Sequence, residues 1–188
     1  ARSLDAKDSD LESVADLYLL TSKPILYVCN VDENAMKSGN NHVDAVKEVV
    51  KDEDAEILLI ATAIESEIAE LDDFEEQQMF LEEMGLKKPG VHHLIQSTYK
   101  LLNLQTYFTA GVKEVRAWTI TKGMKAPQSA GVIHTDFEKG FIRAEVISYN
   151  DFSTLESEIA CKESGKMKVQ GKDYIVADGD VMHFLFNV

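Results

Sequence analysis

The sequence predicts an α/β unit followed by an α+β unit with a mainly antiparallel sheet. Within residues 24–61, two apolar runs flank a segment with helical periodicity, which indicates a parallel βαβ unit. From residue 104, short β segments separated by turns replace that pattern. The charge changes at the same point: residues 1–100 carry 9 basic and 22 acidic side chains, and residues 101–188 carry 10 and 11. We therefore expect two units with different surfaces, with a boundary near Asn103.

The expected first unit contains two strands and several helices. PILYVCN, at 24–30, is a continuous apolar run rich in strand formers, which predicts a strand buried on both faces. A polar loop follows it, and AEILLIA predicts the second strand at 55–61. The segments with helical periodicity are 4–20, 41–52, 64–85 (with Gly85 as its C-cap) and 91–103.

The expected second unit is an α+β roll. One helical segment starts near Pro127 and ends at Gly140, and 151–166 is a second helical or irregular segment. The predicted strands are 104–111, 114–123, 140–149, 172–180 and 181–188.

Composition restricts the function classes. The chain has 188 residues and a net charge of −14, so its acidic first half should repel nucleic acid, and no DNA partner is expected. Its two cysteines lie far apart with no CxxC spacing, which argues against a zinc site or a disulfide framework. No stretch approaches 18 apolar residues, so we expect a soluble, cytoplasmic protein without a membrane partner.

Polar residues follow both strands of the predicted βαβ unit. Asn30-Val31-Asp32-Glu33 comes after the first strand, and Ala61-Thr62 comes after the second. Ligands of parallel α/β sheets bind beyond the carboxyl ends of the strands, so these two strand ends could form a base pocket. N-x-x-E alone is a weak pattern, because Asn30 could simply end the strand and Glu33 could lie in a polar turn.

Four stretches of the chain resemble the YchF subfamily of Obg-like translational ATPases. They are LLTSKPILYVCNVDE, IATAIESEIAEL, TYFTAGVKEVRAWTITKGMKAPQSAGVIHTDFEKGFIRAEVI and GKDYIVADGDVMHFLFNV. The resemblance implies that residues 1–20 end a helical insertion and that 21–102 form the C-terminal part of a Ras-like nucleotide-binding domain. It implies that 103–188 form a TGS domain, a β-grasp module with a ubiquitin-like fold.

The resemblance also implies an altered base motif. Ordinary GTPases use N-K-x-D, whose Asp accepts two hydrogen bonds from guanine, whereas this family has N-x-x-E. The longer Glu side chain displaces the guanine-tuned contact, so ATP is the expected ligand and GTP is less favoured. The implied nucleotide-binding residues are Asn30, Val31, Glu33, Ala61 and Thr62. One departure is Ala61-Thr62-Ala63, where the family usually has Ser-Ala-Lys.

The phosphate-binding half of such a site is not recognisable in the sequence. No G-x-x-x-x-G-K-[ST] motif occurs in the 188 residues, so phosphate and Mg²⁺ binding of the P-loop type is not expected here. The family is a P-loop ATPase or GTPase family that uses ATP and Mg²⁺. This chain is expected to be its C-terminal portion, inactive alone and without a required cofactor.

A second hypothesis assigns the chain a binding role rather than an enzymatic one. Its TGS-like part would dock on RNA, the ribosome or a regulatory protein. A mild excess of basic residues between Lys113 and Arg143 favours RNA contact there. The candidate residues are Arg116, Lys122, Lys125 and Arg143.

Overall fold

The computed structural model describes residues 14–53, 55–111 and 114–187. It divides into two compact units, the first ending at Leu101 and the second beginning at Leu102. Helices and strands occur in both units, in agreement with the expected mixture of α and β structure.

A two-stranded parallel sheet lies in the first unit, as expected from the βαβ pattern. Its strands pair in register from Leu26–Glu56 to Asn30–Ile60. Helix α1 connects them, and the Asn40 carboxamide oxygen caps it by accepting from the backbone N–H groups of His42 and Val43 at 3.0 and 3.1 Å. The elements are β1 (Leu26–Asn30), α1 (Asn41–Val50), β2 (Glu56–Ile60), α2 (Thr62–Glu70), α3 (Phe74–Glu83) and α4 (Gly90–Leu101).

The predicted helix 64–85 is wrong, because two helices replace it. Helix α2 ends at Glu70, and the Asp73 carboxylate starts α3 by accepting from the Glu75 N–H at 2.8 Å. Two consecutive aspartates favour a cap over a helix interior, which explains the break. The expected C-cap is confirmed: Gly85 has φ +64°, and the N–H of Leu86 donates to the carbonyl of Leu81 at 2.8 Å.

Of two further expectations for the first unit, one lies mostly outside the described residues and the other is wrong. The predicted helix 4–20 lies outside the described residues up to position 13, and from position 14 only the short 3₁₀ turns Ala15–Leu17 and Leu20–Ser22 are present. Strand β1 is not buried on both faces, since Val28 is 47% exposed. One buried cluster of this unit lies between α2 and α3, around Ile64, Ile68 and Leu81.

The second unit contains a five-stranded mixed sheet in the order β4-β3-β7-β5-β6. The β3–β7 pair is parallel and the other pairs are antiparallel, so the expected mainly antiparallel sheet is confirmed. The strands are β3 (Leu104–Ala110), β4 (Val115–Thr121), β5 (Phe141–Ser148), β6 (Lys168–Gln170) and β7 (Asp180–Phe186). The helices are α5 (Ala126–Ile133), α6 (Thr135–Lys139), α7 (Tyr149–Leu155) and α8 (Glu158–Glu163).

Alternation along the strands gives this sheet two apolar faces. Tyr107 and Phe184 belong to one cluster, which includes Ala126 and Ala130 of α5. The opposite face carries Ile147 and Val181, packed with Cys161 of α8. The remaining buried members of the first cluster are Ile120, Phe141, Ala144, Val146, Val176 and Met182.

The predicted strand 172–180 does not form. This segment forms a single isolated β-bridge, between Ile175 and Lys125. The fifth strand of the sheet is instead β6 at 168–170, which the sequence pattern did not predict. The buried Asp180 carboxylate accepts from Tyr174 OH at 2.7 Å and from the Ala177 N–H at 2.8 Å. The Ala177 N–H, which a regular strand would have paired in a ladder, is therefore satisfied by a side chain.

The two predicted helical segments of the second unit are each interrupted. In 125–140 the break is His134, whose Nδ1 accepts from the Asp136 N–H at 3.2 Å and so caps α6; Gly140 ends α6 as expected. In 151–166 the break is Glu156, which has φ +53° between α7 and α8. A histidine cap in one segment and a left-handed residue in the other therefore divide the longer periodic patterns.

Two tyrosines of this unit predict a loss of stability at alkaline pH. Burial raises the pKa of Tyr107, and burial together with the neighbouring Asp180 carboxylate raises the pKa of Tyr174. A pKa raised in the folded state gives stability that is complete below the ordinary tyrosine value and is lost above it. We expect the free energy of unfolding to fall as pH rises above about 10. Urea denaturation from about pH 8 to about pH 11 measures this, and the fall should be shallower in Tyr174→Phe; equal slopes for wild type and variant would contradict the assignment.

Candidate functional site

The ends of β1 and β2 lie side by side. Asn30 pairs with Ile60 at the last position of the parallel ladder, and the Val31 N–H donates to the Ile60 carbonyl at 2.9 Å. The backbone pairing therefore extends one residue past β1. Because both strands end at the same edge, the two polar segments expected to form a pocket start from adjacent positions.

A side-chain contact connects these two segments. The Asn30 carboxamide oxygen accepts from the Thr62 backbone N–H at 3.2 Å and from the Thr62 hydroxyl at 3.0 Å. Thr62 is the first residue of α2, where backbone N–H groups have no partner within the helix. Ala61, the N-cap position, has no side chain that could supply one. Asn30 thus caps α2 from the neighbouring strand.

The rest of the motif forms a tight turn. The Asp32 carboxylate accepts from the Ala35 N–H at 3.0 Å and caps the 3₁₀ turn Glu33–Ala35. Glu33 is exposed and lines a cavity of about 250 Å³ together with Lys37 of the following loop and Glu83 of α3. No hydrogen bond between the Glu33 carboxylate and Asn30 or Thr62 occurs in the described part of the chain. Asn30, Val31 and Thr62 are brought together, whereas Glu33 lies along the turn.

Ala61 occupies a different environment from Thr62. Its methyl group is buried with Ile64 and Ile68, and the residue is only 1% exposed. Thr62 is exposed. Of this pair, only Thr62 exposes its side chain.

Sequence reasoning missed Glu65, which connects α2 to α4. One Glu65 carboxylate oxygen accepts from the Gly90 N–H at 2.6 Å and the other from the Val91 N–H at 3.1 Å. A carboxylate at the first N–H groups of a helix is stabilised by charge-assisted hydrogen bonds and by the helix dipole. No local signal identifies this contact, because 25 residues separate the two partners in sequence.

We expect Glu65→Ala to lower the free energy of unfolding of the first unit by about 1–2 kcal/mol, since it removes the cap of α4. Glu67→Ala is the matched control, because Glu67 lies on the same helix and is exposed. Urea unfolding together with amide exchange of residues 90–101 measures the difference. Equal midpoints and equal exchange in the two variants would show that the Glu65 contact has no stabilising effect.

The four basic residues considered for RNA binding do not form one patch. Arg116 is two residues from Trp118 on β4 and shares its face, and Trp118 pairs with Tyr107. Tyr107 and Phe184 belong to the same core cluster, so they lie on the same face of the sheet. Arg143 pairs with Leu185, which is adjacent to Phe184 in sequence and therefore lies on the other face. Arg143 thus points to the face opposite to that of Arg116.

Two of these basic groups also have acidic partners within the second unit. The Lys125 ammonium lies 2.7 Å from the Asp173 carboxylate, and this contact lowers the pKa of Asp173. The Arg116 guanidinium lies 4.1 Å from the ring centroid of Trp118 and 3.9 Å from Glu114. Both Arg143 and Lys122 are exposed.

Metal-binding clusters and membrane-spanning helices are absent from the described residues. Within residues 14–53, 55–111 and 114–187, no group of three or more His, Cys, Asp or Glu side chains could hold a metal ion. In the same ranges, no helix has both the length and the apolar character needed to cross a bilayer.

Known proteins resemble this chain along its whole length. The "Ribosome-binding ATPase YchF" of Pasteurella multocida (strain Pm70) is 55% identical over 187 residues, which cover 100% of this chain and 51% of that protein. The protein of the same name from Bacillus subtilis (strain 168) is 54% identical over 190 residues, covering 100% and 52%. The family model YchF-GTPase_C, described as "Protein of unknown function (DUF933)", matches residues 104–187. The chain belongs to the YchF family.

A solved YchF structure has the same fold. The "Structure of the Schizosaccharomyces pombe YchF GTPase" superposes with a TM-score of 0.84 at 35% identity, covering 98% of this chain and 49% of that one. The match with the YchF family model starts at the first residue of β3, whereas the YchF relatives also match the first unit. The chain spans about half the length of the curated YchF relatives that it matches.

Proposed function

We propose that this chain is the C-terminal half of a YchF-type ATPase and that it supplies the adenine-recognition part of the nucleotide site. The observation that carries the proposal is the Asn30–Thr62 contact. It holds the ends of β1 and β2 together, at the edge of a parallel sheet where such ligands bind. The printed name of the relatives, "Ribosome-binding ATPase YchF", supports ATP as the nucleotide.

The groups around this contact suit a purine base. Val31 offers an apolar side chain for the flat face of the ring, and its backbone is held by Ile60. Asn30 offers polar groups at the ring edge, and Glu33 is an acceptor for the exocyclic amino group of adenine. Guanine presents a carbonyl oxygen at that ring position, which a carboxylate does not accept from. GTP is therefore the weaker ligand in this proposal.

The boundary between the two units, at Leu101 and Leu102, supports a domain assignment for the proposal. In this assignment residues 21–102 belong to the last part of a Ras-like nucleotide-binding domain, and residues 103–188 belong to a TGS domain. A mixed five-stranded sheet with a parallel β3–β7 pair and α5 packed on one face supports a β-grasp arrangement for the last of these.

Phosphate and Mg²⁺ binding is assigned to other parts of the YchF-type ATPase. The residue types that could hold Mg²⁺ do not cluster in the described ranges of the chain, so the proposal gives no residue of this chain a role as a metal ligand. When bound, Mg²⁺ would neutralise charge on the ATP phosphates. This chain would position the base.

Titration calorimetry with nucleosides and an ATPase assay test the proposal. The chain should bind adenosine more tightly than guanosine, and it should show no ATP turnover above the buffer background. Adenosine is the better probe than ATP, because its binding depends only on base and ribose contacts. Equal affinity for the two nucleosides, or turnover by the chain alone, would contradict the assignment.

A second proposed function is docking on the ribosome through the second unit. The relatives' printed name favours it, and Arg143 and Lys122 provide exposed cationic groups. Cosedimentation with ribosomes at several salt concentrations tests it, with Arg143→Gln as the test variant and Lys88→Gln, an exposed lysine of the first unit, as control. Absence of binding at low salt would exclude this function.

A further inference from the structure

We propose that the second unit binds a small aromatic amine in a cavity between β3 and β7. The aromatic ring of the ligand fills the cavity, and its positively charged amino group lies at the Glu114 carboxylate on the rim. The inference is independent of both proposed functions. It uses neither the ends of β1 and β2 nor the exposed cationic groups of Arg143 and Lys122.

The cavity lies where β3 and β7 separate. In the described residues these parallel strands pair only at Phe108–Val181, although β3 continues to Ala110 and β7 to Phe186. The next pair of a continued parallel ladder would be Ala110 with His183, and this pair does not form. Both of these residues line the cavity instead. The cavity therefore occupies the gap between the diverging strands.

Alternation along β3 directs the backbone of Ala110 into this gap. Neighbouring residues of a strand point their N–H and C=O groups to opposite edges. The next residue, Gly111, points toward β4, because its N–H donates to the Glu114 carbonyl at 2.9 Å. The carbonyl of Thr106, an even-numbered residue like Ala110, points the other way and accepts from the Gly179 N–H at 2.8 Å. The Ala110 carbonyl is therefore an acceptor directed at the cavity, which suits an N–H group of a ligand.

Apolar and aromatic side chains form most of the cavity wall. The volume is about 480 Å³, and small-molecule sites commonly have about 300–1,000 Å³. The rings of Phe137 and Phe186 stack with their centroids 3.8 Å apart, and the Trp118 indole N–H donates to the Thr109 hydroxyl at 2.9 Å. These contacts hold the rings in place before a ligand arrives, so a flat ring can bind without ordering the wall. The lining includes Thr109, Trp118, Ile133, Phe137, Met182 and Phe186.

The charge on the rim favours a cation. Glu114 lines the cavity and is exposed, and no described Lys or Arg residue lines it. The Arg116 guanidinium is 3.9 Å from the Glu114 carboxylate, which is beyond hydrogen-bond distance, so this carboxylate can accept from a ligand. Arg116 itself lies 4.1 Å from the centroid of the Trp118 ring, so a cation is already favourable beside this aromatic wall. A ligand ammonium would meet two acceptors, the Glu114 carboxylate and the Ala110 carbonyl.

Three probes of similar shape and different charge test the ligand class: 2-phenylethylamine, 2-phenylethanol and 3-phenylpropionate. Trp118 is the single tryptophan and lies in the cavity wall, so its fluorescence reports binding to the full chain. We expect saturable binding that is tightest for the amine, with a Kd of about 1 mM or below for a ligand of this size, and weakest for the carboxylate. Fluorescence changes without saturation for all three probes would overturn the site. A carboxylate bound as tightly as the amine would overturn the ligand class.

Glu114→Gln separates the charge of the rim from the cavity itself. We expect this variant to bind 2-phenylethylamine about two- to fivefold less tightly, the effect of losing one exposed ion pair, and to bind 2-phenylethanol as the wild type does. Glu163→Gln is the matched control, because Glu163 is exposed on α8 of the same unit. Unchanged amine binding by Glu114→Gln, or an equal loss in the control, would overturn the role of Glu114.

Ile133→Phe tests the cavity by filling part of it. This variant should bind all three probes less tightly, whereas Ile159→Phe should bind them as the wild type does, since Ile159 is 71% exposed on α8. Urea unfolding of both variants shows whether the added volume disturbs the fold. The wild-type chain gives an independent test: 2-phenylethylamine should shift the methyl resonances of Ile133 and Met182 and leave that of Ile159 unchanged. Unshifted Ile133 and Met182 resonances at saturating amine would overturn the proposal.

Discussion

Gly140→Ala should destabilise the second unit by about 3 kcal/mol or more. A Cβ atom at Gly140 would overlap the carbonyl oxygen of Asn187 and would lie 2.8 Å from its carbonyl carbon. Both are backbone atoms, so no side-chain rotation relieves the clash. The Asn187 N–H also donates to the Gly140 carbonyl at 2.9 Å, and moving the chain apart breaks that bond. The start of β5 would separate from the residue that follows β7.

Gly171→Ala is the matched control for this prediction. No heavy atom lies within 4 Å of a Cβ atom built at Gly171, so the added methyl group meets open space. Denaturant unfolding of the two variants, followed by the fluorescence of the single tryptophan, measures the difference. If the two alanine variants unfold at the same urea concentration, the close approach of Gly140 and Asn187 is not a feature of the folded chain.

Tyr107→Ala should cost about 3–5 kcal/mol, as expected for truncating a large buried aromatic residue. Tyr107 is fully buried between the sheet and α5. Its ring lies 5.8 Å from that of Phe184 in an edge-to-face arrangement, and its hydroxyl donates to the Ser129 carbonyl at 2.9 Å. The substitution leaves a cavity and removes the hydrogen bond that connects β3 to α5.

Tyr107→Phe divides this effect into two parts. It keeps the ring packing and removes only the hydroxyl, so the expected loss is about 1–2 kcal/mol. The same urea titrations measure both variants. A Tyr107→Phe loss equal to that of Tyr107→Ala would show that the hydrogen bond, rather than ring packing, accounts for the contribution of Tyr107.

The regular elements follow from local patterns, and their interruptions follow from side-chain caps. The runs that form β1 and β2, and the periodicity of α1, predict the parallel βαβ unit correctly because burial and strand propensity agree there. The helix predicted at 64–85 fails because the apolar period continues through Asp73, whose capping bond overrides it. The strand predicted at 172–180 does not form because the segment pairs only at Ile175, with Lys125, and its Ala177 N–H donates to the Asp180 carboxylate instead of to a neighbouring strand.

The candidate site is predictable in part, for a similar reason. Asn30 and Thr62 could be placed together from sequence, because the ends of parallel strands meet at one edge. Glu65 could not, since its partners belong to a helix that starts 25 residues later. The placement of Arg116 and Arg143 on opposite faces of the sheet could not be predicted from sequence either, because it depends on the register of strands that are distant in sequence.

Photolabelling with 8-azidoadenosine tests the proposed adenine site most directly. After irradiation of the chain and peptide mapping by mass spectrometry, we expect the label in residues 27–36 and 61–65, and we expect excess adenosine to abolish it. Guanosine at the same concentration should compete less well. Label that adenosine does not displace, or label confined to residues 104–187, would contradict the assignment of the nucleotide base to the ends of β1 and β2.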